Sequence, residues 1–288
     1  MGKYTINFKG DNENYPFVLS GGKYEFNATT GGINSEKNLI FCDDGTTQLK
    51  INGGRYCGLY GIQINSLGTT NIYNAYIETK STNSGAISVA SNSENFDITV
   101  KNTELVSKGF GIYSYSSNSK GQTNIAVQNC NIMANYAAVY SSNNNSEITI
   151  DGGEYTSEGY GWGCIEAHNG KINVVDGNFT GLTNGLNYVG GEVKLSGGTF
   201  KNTDKDGYSI YAGTDNMGLR KILADEYLYE GIDGEIIDID ETTANWKEPL
   251  TVVKCQHNFD ISDNGDGTHT YKCDTCNFEK IENCKYTK

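Results

Sequence analysis

The C-terminal segment of the chain contains the side chains best suited to bind a metal ion. Cys255 and His257 form a first pair, and a Cys-x-x-Cys pair follows at Cys273 and Cys276. Thiolates and imidazoles hold Zn²⁺ tetrahedrally in structural sites, and a Cys-x-x-Cys turn places two thiolates at a suitable separation. A segment this short buries little apolar area and needs such a staple. The sequence therefore predicts a structural zinc site with these four residues as ligands.

The ligand set of this predicted site has alternatives nearby. Cys284 and His269 lie in the same segment, and either could replace one of the proposed ligands. Disulfide bonds or free thiols are a further interpretation of the same cysteines. Redox catalysis is disfavoured because no thioredoxin-like strand and helix surround the Cys-x-x-Cys pair. Residues 260–267 resemble a calcium-binding loop in part, but Tyr271 stands where a bidentate glutamate is needed, so a hairpin turn is expected.

Aromatic residues in the body of the chain form a second candidate site. The predicted ligand-binding residues are Tyr113, Tyr115, Tyr140, Trp162 and Tyr211. Flat rings supply apolar contact area while their polar groups form hydrogen bonds, so rings along one face are suited to bind a sugar chain. Tyrosine is also frequent on strand surfaces. Packing is therefore the alternative interpretation of these residues.

Catalytic groups are harder to assign. A polysaccharide lyase needs a base and clustered carboxylates for Ca²⁺, but the predicted neighbours of Arg55 are Lys23 and Tyr76. That position does not form a lyase site.

A glycoside hydrolase needs two carboxyl groups about 5–10 Å apart, and Asp151, Glu154 and Asp176 fall on neighbouring repeats. His168, beside Glu166, would need a hydroxyl and a carboxylate around it to form a triad. A solvated polar face is the favoured interpretation of all these residues.

A repeat of eight segments must position these side chains. The third and eighth residues of every segment are apolar, and alternation over the first three residues indicates a strand with one buried face. The segments start at Phe17, Leu49, Thr70, Ile98, Ile125, Ile148, Ile172 and Val193.

The fifth residue of each segment decides the architecture. It is always Gly, Asn or Asp, the residues that enter the left-handed backbone region most easily, so each strand is expected to end in the same bend. These residues are Gly21, Gly53, Asn74, Asn102, Asn129, Gly152, Asp176 and Gly197.

The repeat length favours a right-handed parallel β-helix with a single-stranded winding. Spacings run from 21 residues (Leu49 to Thr70) to 32 residues (Phe17 to Leu49), which suits three short strands and three turns. A leucine-rich repeat lacks its leucine ladder here, and propeller blades need about 40 residues. Equivalent residues are expected to stack about 4.8 Å apart. Asn74, Asn102 and Asn129 would then form a side-chain ladder inside three successive bends.

A second strand is predicted in each coil, with its apolar residues turned inward: Ile112, Val139, Ile165 and Ile210. Residues 1–217 are assigned to the β-helix, 218–250 to a capping segment with a linker, and 251–288 to a Cys/His-rich hairpin module. Lys3–Phe8 is expected to cap the N-terminal end as a strand. Within the C-terminal cap, 219–229 has helical spacing, 235–240 is a predicted strand, and 240–249 is a predicted linker.

The composition argues against two classes of partner. The formal net charge is −13, and Arg55 and Arg220 are the only arginines. Such a surface repels phosphate backbones, so no nucleic acid is expected. No apolar run approaches the roughly 18–20 residues of a membrane span, and the first residues lack the apolar core of a signal peptide. We expect a cytosolic protein or a piece of a longer one. The cysteines of the body are expected to be small buried residues: Cys42, Cys57, Cys130 and Cys164.

Three sequence features together resemble a known family. They are the Gly-Gly-Thr-Phe run at 197–200, the segment 222–234 and the Thr-Val-Val-Lys-Cys run at 251–255. Together they resemble large surface proteins of anaerobic Gram-positive bacteria, which belong to the pectate-lyase-like β-helix superfamily. The Cys-x-His and Cys-x-x-Cys pairs resemble short modules in the same proteins. The resemblance implies an extracellular, wall-displayed context.

The sequence thus predicts a cell-surface module for adhesion or carbohydrate binding. Its expected partner is a polysaccharide or a host or cell-wall glycan, bound without catalysis, and the chain is expected to belong to a larger multidomain protein. One alternative is a polysaccharide lyase or glycoside hydrolase of the same superfamily. Another is a purely structural spacer.

Overall fold

The structure, a computed structural model, describes residues 6–8, 17–35, 39–42, 47–64, 69–90, 95–115, 121–213, 218–240, 242–276 and 278–283. Strands account for 63% of it, and the described residues contain no α-helix. The chain forms a parallel β-solenoid of about seven turns, followed by a hairpin module. No helix among the described residues is long and apolar enough to cross a membrane.

The solenoid is built from two sheets. Sheet A contains β1 (Ile6–Phe8), β3 (Lys23–Ser35), β5 (Gln48–Gly58), β7 (Thr69–Tyr73), β8 (Tyr76–Thr79), β10 (Phe96–Lys101), β11 (Glu104–Ser107), β13 (Thr123–Ala134), β15 (Ser146–Ser157), β17 (Lys171–Gly181), β19 (Glu192–Leu195), β20 (Thr199–Asn202), β22 (Tyr227–Glu230), β23 (Ile236–Ile237) and β25 (Leu250–Lys254). Sheet B contains β2 (Phe17–Leu19), β4 (Ile40–Cys42), β6 (Ile62–Ile64), β9 (Gly85–Val89), β12 (Phe110–Ser114), β14 (Val139–Ser141), β16 (Gly163–Ala167), β18 (Asn184–Tyr188), β21 (Tyr208–Tyr211) and β24 (Asn245–Trp246). A third sheet, in the module, contains β26 (Phe259–Asp263), β27 (Thr268–Cys273) and β28 (Glu279–Asn283).

Seven of the eight predicted segments lie in register on neighbouring coils. In sheet A, Ile98 pairs with Ile125, Ile125 with Ile148, and Ile148 with Ile172. The third residues are buried along the same column. The eighth residues stack as well, since Tyr155 pairs with Phe179 and the latter with Phe200. Coil-by-coil stacking of equivalent side chains is confirmed.

The first predicted segment was assigned to the wrong place. Phe17–Leu19 is a strand of sheet B and pairs with Ile40–Cys42. The residue that stacks on Leu49 is Tyr24. The Gly21-Gly22 pair has positive φ and forms the turn between β2 and β3. The same pattern, a short alternating strand followed by glycine, thus occurs at two different corners of the winding.

The bend at the end of the first strand is left-handed in five coils, as predicted. The fifth residues with positive φ are Gly53, Asn74, Asn102, Asn129 and Gly152, and the three asparagines have φ of 53°, 50° and 48°. In the last two coils the prediction was wrong by one residue, because Gly177 and Gly198 have the positive φ instead of Asp176 and Gly197. The ladder between β15 and β17 is irregular just before this bend.

An asparagine ladder joins the bends of three coils. Asn74 Nδ2 donates to Asn52 Oδ1 at 3.1 Å, and Asn102 Nδ2 donates to Asn74 Oδ1 at 3.5 Å. These side chains are exposed, so the ladder runs along the outside of the bend. The hydrogen bonds between described residues include no bond from Asn102 to Asn129.

Replacing Asn102 tests the conformational role of this position. Alanine is expected to lower the free energy of unfolding by about 1 kcal/mol, because an ordinary L-residue is strained at φ of 50°. Glycine at the same position is expected to be within about 0.5 kcal/mol of the native protein. Urea denaturation of both variants measures the difference. Equal losses for alanine and glycine would contradict the conformational argument.

The C-terminal cap differs from the prediction. Residues 219–229 form one 3₁₀ turn (Leu219–Ile222) and then strand β22, where an amphipathic helix was expected. The reason is tertiary pairing, because β22 lies antiparallel to β25, with Leu228 opposite Val253. The Tyr229 hydroxyl is buried and donates to Leu219 O at 2.9 Å. Burial and ladder hydrogen bonds outweigh the local helical spacing.

The remaining end segments are only partly as predicted. In the predicted N-terminal strand, β1 pairs with Ile33–Ser35, and Lys3–Thr5 lie outside the described residues. The predicted strand 235–240 is reduced to Ile236–Ile237. The predicted linker 240–249 contains β24, whose Trp246 pairs with Ile210. The four body cysteines are buried thiols, as expected.

Candidate metal centre and aromatic face

The three strands of the module position the Cys/His group. Strands β26, β27 and β28 form an antiparallel meander. Cys273 ends β27, and Cys276 follows in the next turn. Cys255 comes directly after β25, and its backbone N–H donates to Glu226 O at 2.7 Å. Because β25 also pairs with the last coil of the solenoid, the group is anchored to the β-helix.

The four predicted ligands converge on one point. One ligand atom from each of Cys255, His257, Cys273 and Cys276 lies within 4.8 Å of the others. The Sγ atoms of Cys255 and Cys273 are 3.6 Å apart, and Cys276 Sγ is 3.3 Å from His257 Nδ1. A tetrahedron with metal–ligand bonds of about 2.1–2.3 Å has edges of about 3.4–3.8 Å, whereas a disulfide needs about 2.05 Å. The group fits a metal ion and not a disulfide.

The surroundings favour the thiolate form of one ligand. Burial opposes the charge on Cys273, but hydrogen bonds from the Cys276 backbone, from His257 and from the Thr275 backbone outweigh it and lower the pKa of Cys273 to about 5. All three cysteines are buried. A thiolate is the form that binds metals.

Residues of the cap support the group from outside, and the sequence did not reveal them. Glu226 Oε2 lies 3.5 Å from His257 Nε2, which is buried and has no hydrogen-bond partner among the described residues. A carboxylate behind a metal-binding histidine orients the ring. Arg220 Nη2 donates to Cys276 O at 2.9 Å, and Leu228 packs against the cysteines. Glu226 is the one residue of this support that an acidic side chain in the sequence could have indicated, but it lies in a segment that was expected to be helical.

The alternative ligands do not join this group in the described structure. His269 lies on β27 opposite Asp263 and is not a member of the group. Cys284 lies outside the described residues. The segment after β26 forms the predicted hairpin, where Asn264 N–H donates to Thr268 O at 3.1 Å.

The predicted aromatic residues lie along the outer face of sheet B. Tyr113 pairs with Tyr140, Tyr140 with Glu166, Glu166 with Asn187, and Asn187 with Tyr211. Tyr211 is therefore on the same column as Tyr140 but three coils away, about 14 Å at the spacing of stacked strands. Tyr211 contacts Tyr208, with ring centroids 5.4 Å apart, and does not contact the other predicted rings.

The other rings form one continuous cluster, which we call the aromatic face: Phe110, Tyr113, Tyr115, Tyr136, Tyr140 and Trp162. The rings of Phe110 and Tyr115 lie 4.5 Å and 4.6 Å from that of Tyr113, nearly parallel to it. Two rings at these distances cannot share one side of a third, so they cover both faces of Tyr113. Burial raises the pKa of the Tyr113 hydroxyl. Tyr113 supports the aromatic face and presents no open ring to a ligand.

Trp162 and Tyr140 are at the other end of the aromatic face. Trp162 stacks on Tyr136 with centroids 5.3 Å apart, and Tyr140 lies 6.2 Å from Trp162. Tyr140 also contacts the His168 ring at 5.3 Å. Two residues before Trp162 in the chain, the Tyr160 side chain is exposed. Sequence reasoning missed Phe110 and Tyr136, because their contacts depend on turns between coils.

No protein-family model, no curated protein and no solved structure matches the chain. The solenoid and the Cys/His group are shown by the structure, and membership of the pectate-lyase-like superfamily stays a prediction.

A buried carboxylate lies next to the aromatic face. Glu166 Oε1 accepts from Asn187 Nδ2 at 2.8 Å and lies 2.9 Å from His168 Nε2, and its Oε2 accepts from Gly163 N–H at 2.8 Å. Burial raises the pKa of Glu166, and these hydrogen bonds and the histidine oppose the rise. Glu166 lies on the outer face of sheet B, as predicted. Its side chain is nevertheless buried, which the sequence did not predict.

The other candidate catalytic residues have simple partners. Arg55 pairs with Gly32 and Tyr76 in the ladder. The predicted neighbour Tyr76 is therefore confirmed, and the predicted neighbour Lys23 is wrong. Its guanidinium lies 3.0 Å from Glu78 Oε2 and 3.6 Å above the Tyr76 ring.

The carboxylates proposed for a hydrolase are on the outer side of sheet A. Asp151 and Asp176 are register partners, and both are exposed. Glu154 accepts from Asn178 Nδ2 at 2.7 Å. A carboxyl group that acts as a general acid needs a buried environment that keeps it protonated, and these exposed carboxylates have no such environment.

Proposed function

We propose that this chain is a glycan-binding module whose binding surface is the half-buried end of the aromatic face, around Tyr140 and Trp162. The observation that carries the proposal is a continuous cluster of rings on one side of sheet B, next to a hydrogen-bonded Glu166, His168 and Asn187. Sugar rings stack on such aromatic surfaces while their hydroxyls bind nearby polar groups. Binding without cleavage is the activity we assign.

The C-terminal module is, in this proposal, a zinc-stabilised end piece. Three thiolates and one imidazole form a ligand set that suits zinc, whereas oxygen-rich sets suit calcium or magnesium. Two sulfur ligands come from the end of β27 and the turn that follows it, and the third comes directly after β25. The zinc ion would hold the module against the cap of the solenoid.

Display on a cell surface as part of a larger protein completes the proposal. Its support is the resemblance of the coils and of the Cys/His pairs to bacterial surface proteins. A spacer without a ligand is the alternative, and an aromatic face on one side of the rod favours binding over that role.

Removing the half-buried rings of Trp162 and Tyr140 is expected to abolish most of the binding. Trp162→Ala should weaken binding to a polysaccharide about 30-fold and Tyr140→Ala about tenfold, because truncating a central aromatic contact costs about 2 kcal/mol. Isothermal titration with soluble cellulose, xylan, mannan and pectin fragments measures this. Product analysis on the same samples should find no new reducing or unsaturated ends.

Tyr73→Ala is the matched control, since Tyr73 lies on β7 in sheet A, away from the aromatic face. It should bind as the native protein does. No binding to any fragment, or equal losses in all three variants, would contradict a glycan-binding aromatic face and favour the spacer.

A further inference from the structure

The inference concerns the histidine beside the aromatic face and rests on the proposed function. Both oxygens of Glu166 already accept hydrogen bonds from groups that can only donate, the Gly163 N–H and the Asn187 amide NH₂. The carboxylate is buried, with 4% of its side chain exposed. An ionised carboxylate has no proton to donate, so it can only accept in its third contact as well. His168 Nε2, 2.9 Å from Oε1, must therefore be the donor.

This contact sets the chemistry of the second ring nitrogen. In a neutral imidazole one nitrogen donates and the other accepts, so Nε2–H leaves an unprotonated Nδ1. Among the described residues, no hydrogen bond is made by His168 Nδ1, and it is not among the buried polar atoms without a partner. About a third of the side chain is accessible, 34%. Nδ1 is a preset acceptor open to solvent.

We propose that His168 Nδ1 accepts a hydrogen bond from a hydroxyl group of a neutral sugar whose ring contacts Tyr140. The Tyr140 and His168 rings are adjacent, with centroids 5.3 Å apart, so one monosaccharide can contact both. Glu166 is a positioning residue that fixes the tautomer and the orientation of the ring. The binding surface thereby selects hydroxyl-bearing, uncharged glycans.

Electrostatics favour a neutral ligand over an acidic one. An unprotonated Nδ1 presents a lone pair, which repels the carboxylate of a uronic acid. Glu166 adds a buried negative charge behind it, and the whole chain carries a net charge of −13. Acidic polysaccharides would meet repulsion at short and long range.

A catalytic role for this pair is not supported by the geometry. A triad needs a serine, threonine or cysteine hydrogen-bonded to the free nitrogen of the histidine. The described residues place no hydroxyl or thiol in hydrogen bond with His168. The arrangement contains an oriented acceptor and no nucleophile.

The tautomer is measurable without any ligand. In ¹⁵N-histidine-labelled full chain, long-range ¹H–¹⁵N NMR spectra should identify His168 as protonated at Nε2 only. Glu166→Gln has one acceptor oxygen in place of two, so its NH₂ group can face His168 Nε2, and the Nδ1–H tautomer should then become populated. Glu147→Gln is the matched control, because Glu147 accepts from Asn173 Nδ2 at 2.7 Å on sheet A. Protonation of native His168 at Nδ1 would overturn the inference.

The ligand class is tested by titration with hexasaccharides of xylose, mannose or glucose and with hexagalacturonate. A neutral hexasaccharide should bind more tightly than hexagalacturonate. His168→Phe keeps a ring next to Tyr140 and should weaken that binding about fivefold, the usual effect of one hydrogen bond. Loss of binding in Trp162→Ala with no change in His168→Phe would overturn this inference and leave the proposed function intact. Absence of binding by the native chain would overturn both.

Discussion

Replacing Cys273 by serine is expected to remove stoichiometric metal from the protein and to unfold the C-terminal hairpin. Cys273 is fully buried among Cys255, Cys276 and Leu228, and these residues form the small core of the module. Zinc contributes on the order of 10–16 kcal/mol to folding in comparable small zinc modules. Mass spectrometry of the bound metal and limited proteolysis between residues 256 and 283 measure both effects. Chelation of the native protein should reproduce the proteolysis.

Cys57→Ser is the control for the loss of a buried thiol. Cys57 lies in β5, where its Sγ is 3.5 Å from Glu78 Oε2, and a serine hydroxyl can keep this contact. This variant should retain the full amount of metal and the native proteolytic pattern. Full metal content in Cys273→Ser, or identical metal loss in Cys57→Ser, would contradict the assignment of the four ligands.

Replacing Phe179 by alanine is expected to cause the largest loss of stability in the solenoid, about 3–5 kcal/mol. Phe179 is completely buried. Its ring is stacked between Tyr155 at 4.8 Å and Phe200 at 5.0 Å, so truncation leaves a cavity that two neighbouring coils border. Urea denaturation followed by far-UV circular dichroism measures the free energy of unfolding.

Met133→Ala is the matched control on the same sheet. Met133 lies on β13 and is 44% exposed, so its truncation should change stability by no more than about 0.5 kcal/mol. A loss below about 1 kcal/mol for Phe179→Ala would show that the aromatic column is not a close-packed core.

The stacking of coils was predictable because each coil repeats the same local constraints. An apolar residue at a fixed position and a left-handed residue after it recur in the chain, and each leaves a visible column in the sequence. The prediction for the first coil was wrong because Gly21 and Gly22 form a turn at a different corner of the winding. The prediction of a helix in the end cap was wrong because β22 pairs with β25. These segments are about 25 residues apart, and no local sequence pattern encodes their pairing.

In the candidate sites too, contacts between residues close in sequence were predictable and contacts between distant segments were not. The four candidate metal ligands are close in sequence, and the hairpin that joins them has a recognisable turn, so their convergence was predictable. Glu226 reaches His257 only through the cap, and Phe110 reaches Trp162 across coils. The burial of Glu166 depends on donors from Gly163 and Asn187. Such contacts between distant segments require coordinates.

A single-tryptophan titration tests the glycan-binding proposal most directly. The chain has two tryptophans, and Trp246→Phe leaves Trp162 as the only one, which can be excited selectively over the tyrosines. A neutral oligosaccharide that binds by calorimetry should shift the Trp162 emission saturably, with the same dissociation constant in both measurements. Calorimetric binding that leaves the Trp162 emission unchanged would place the ligand elsewhere on the molecule and contradict the account.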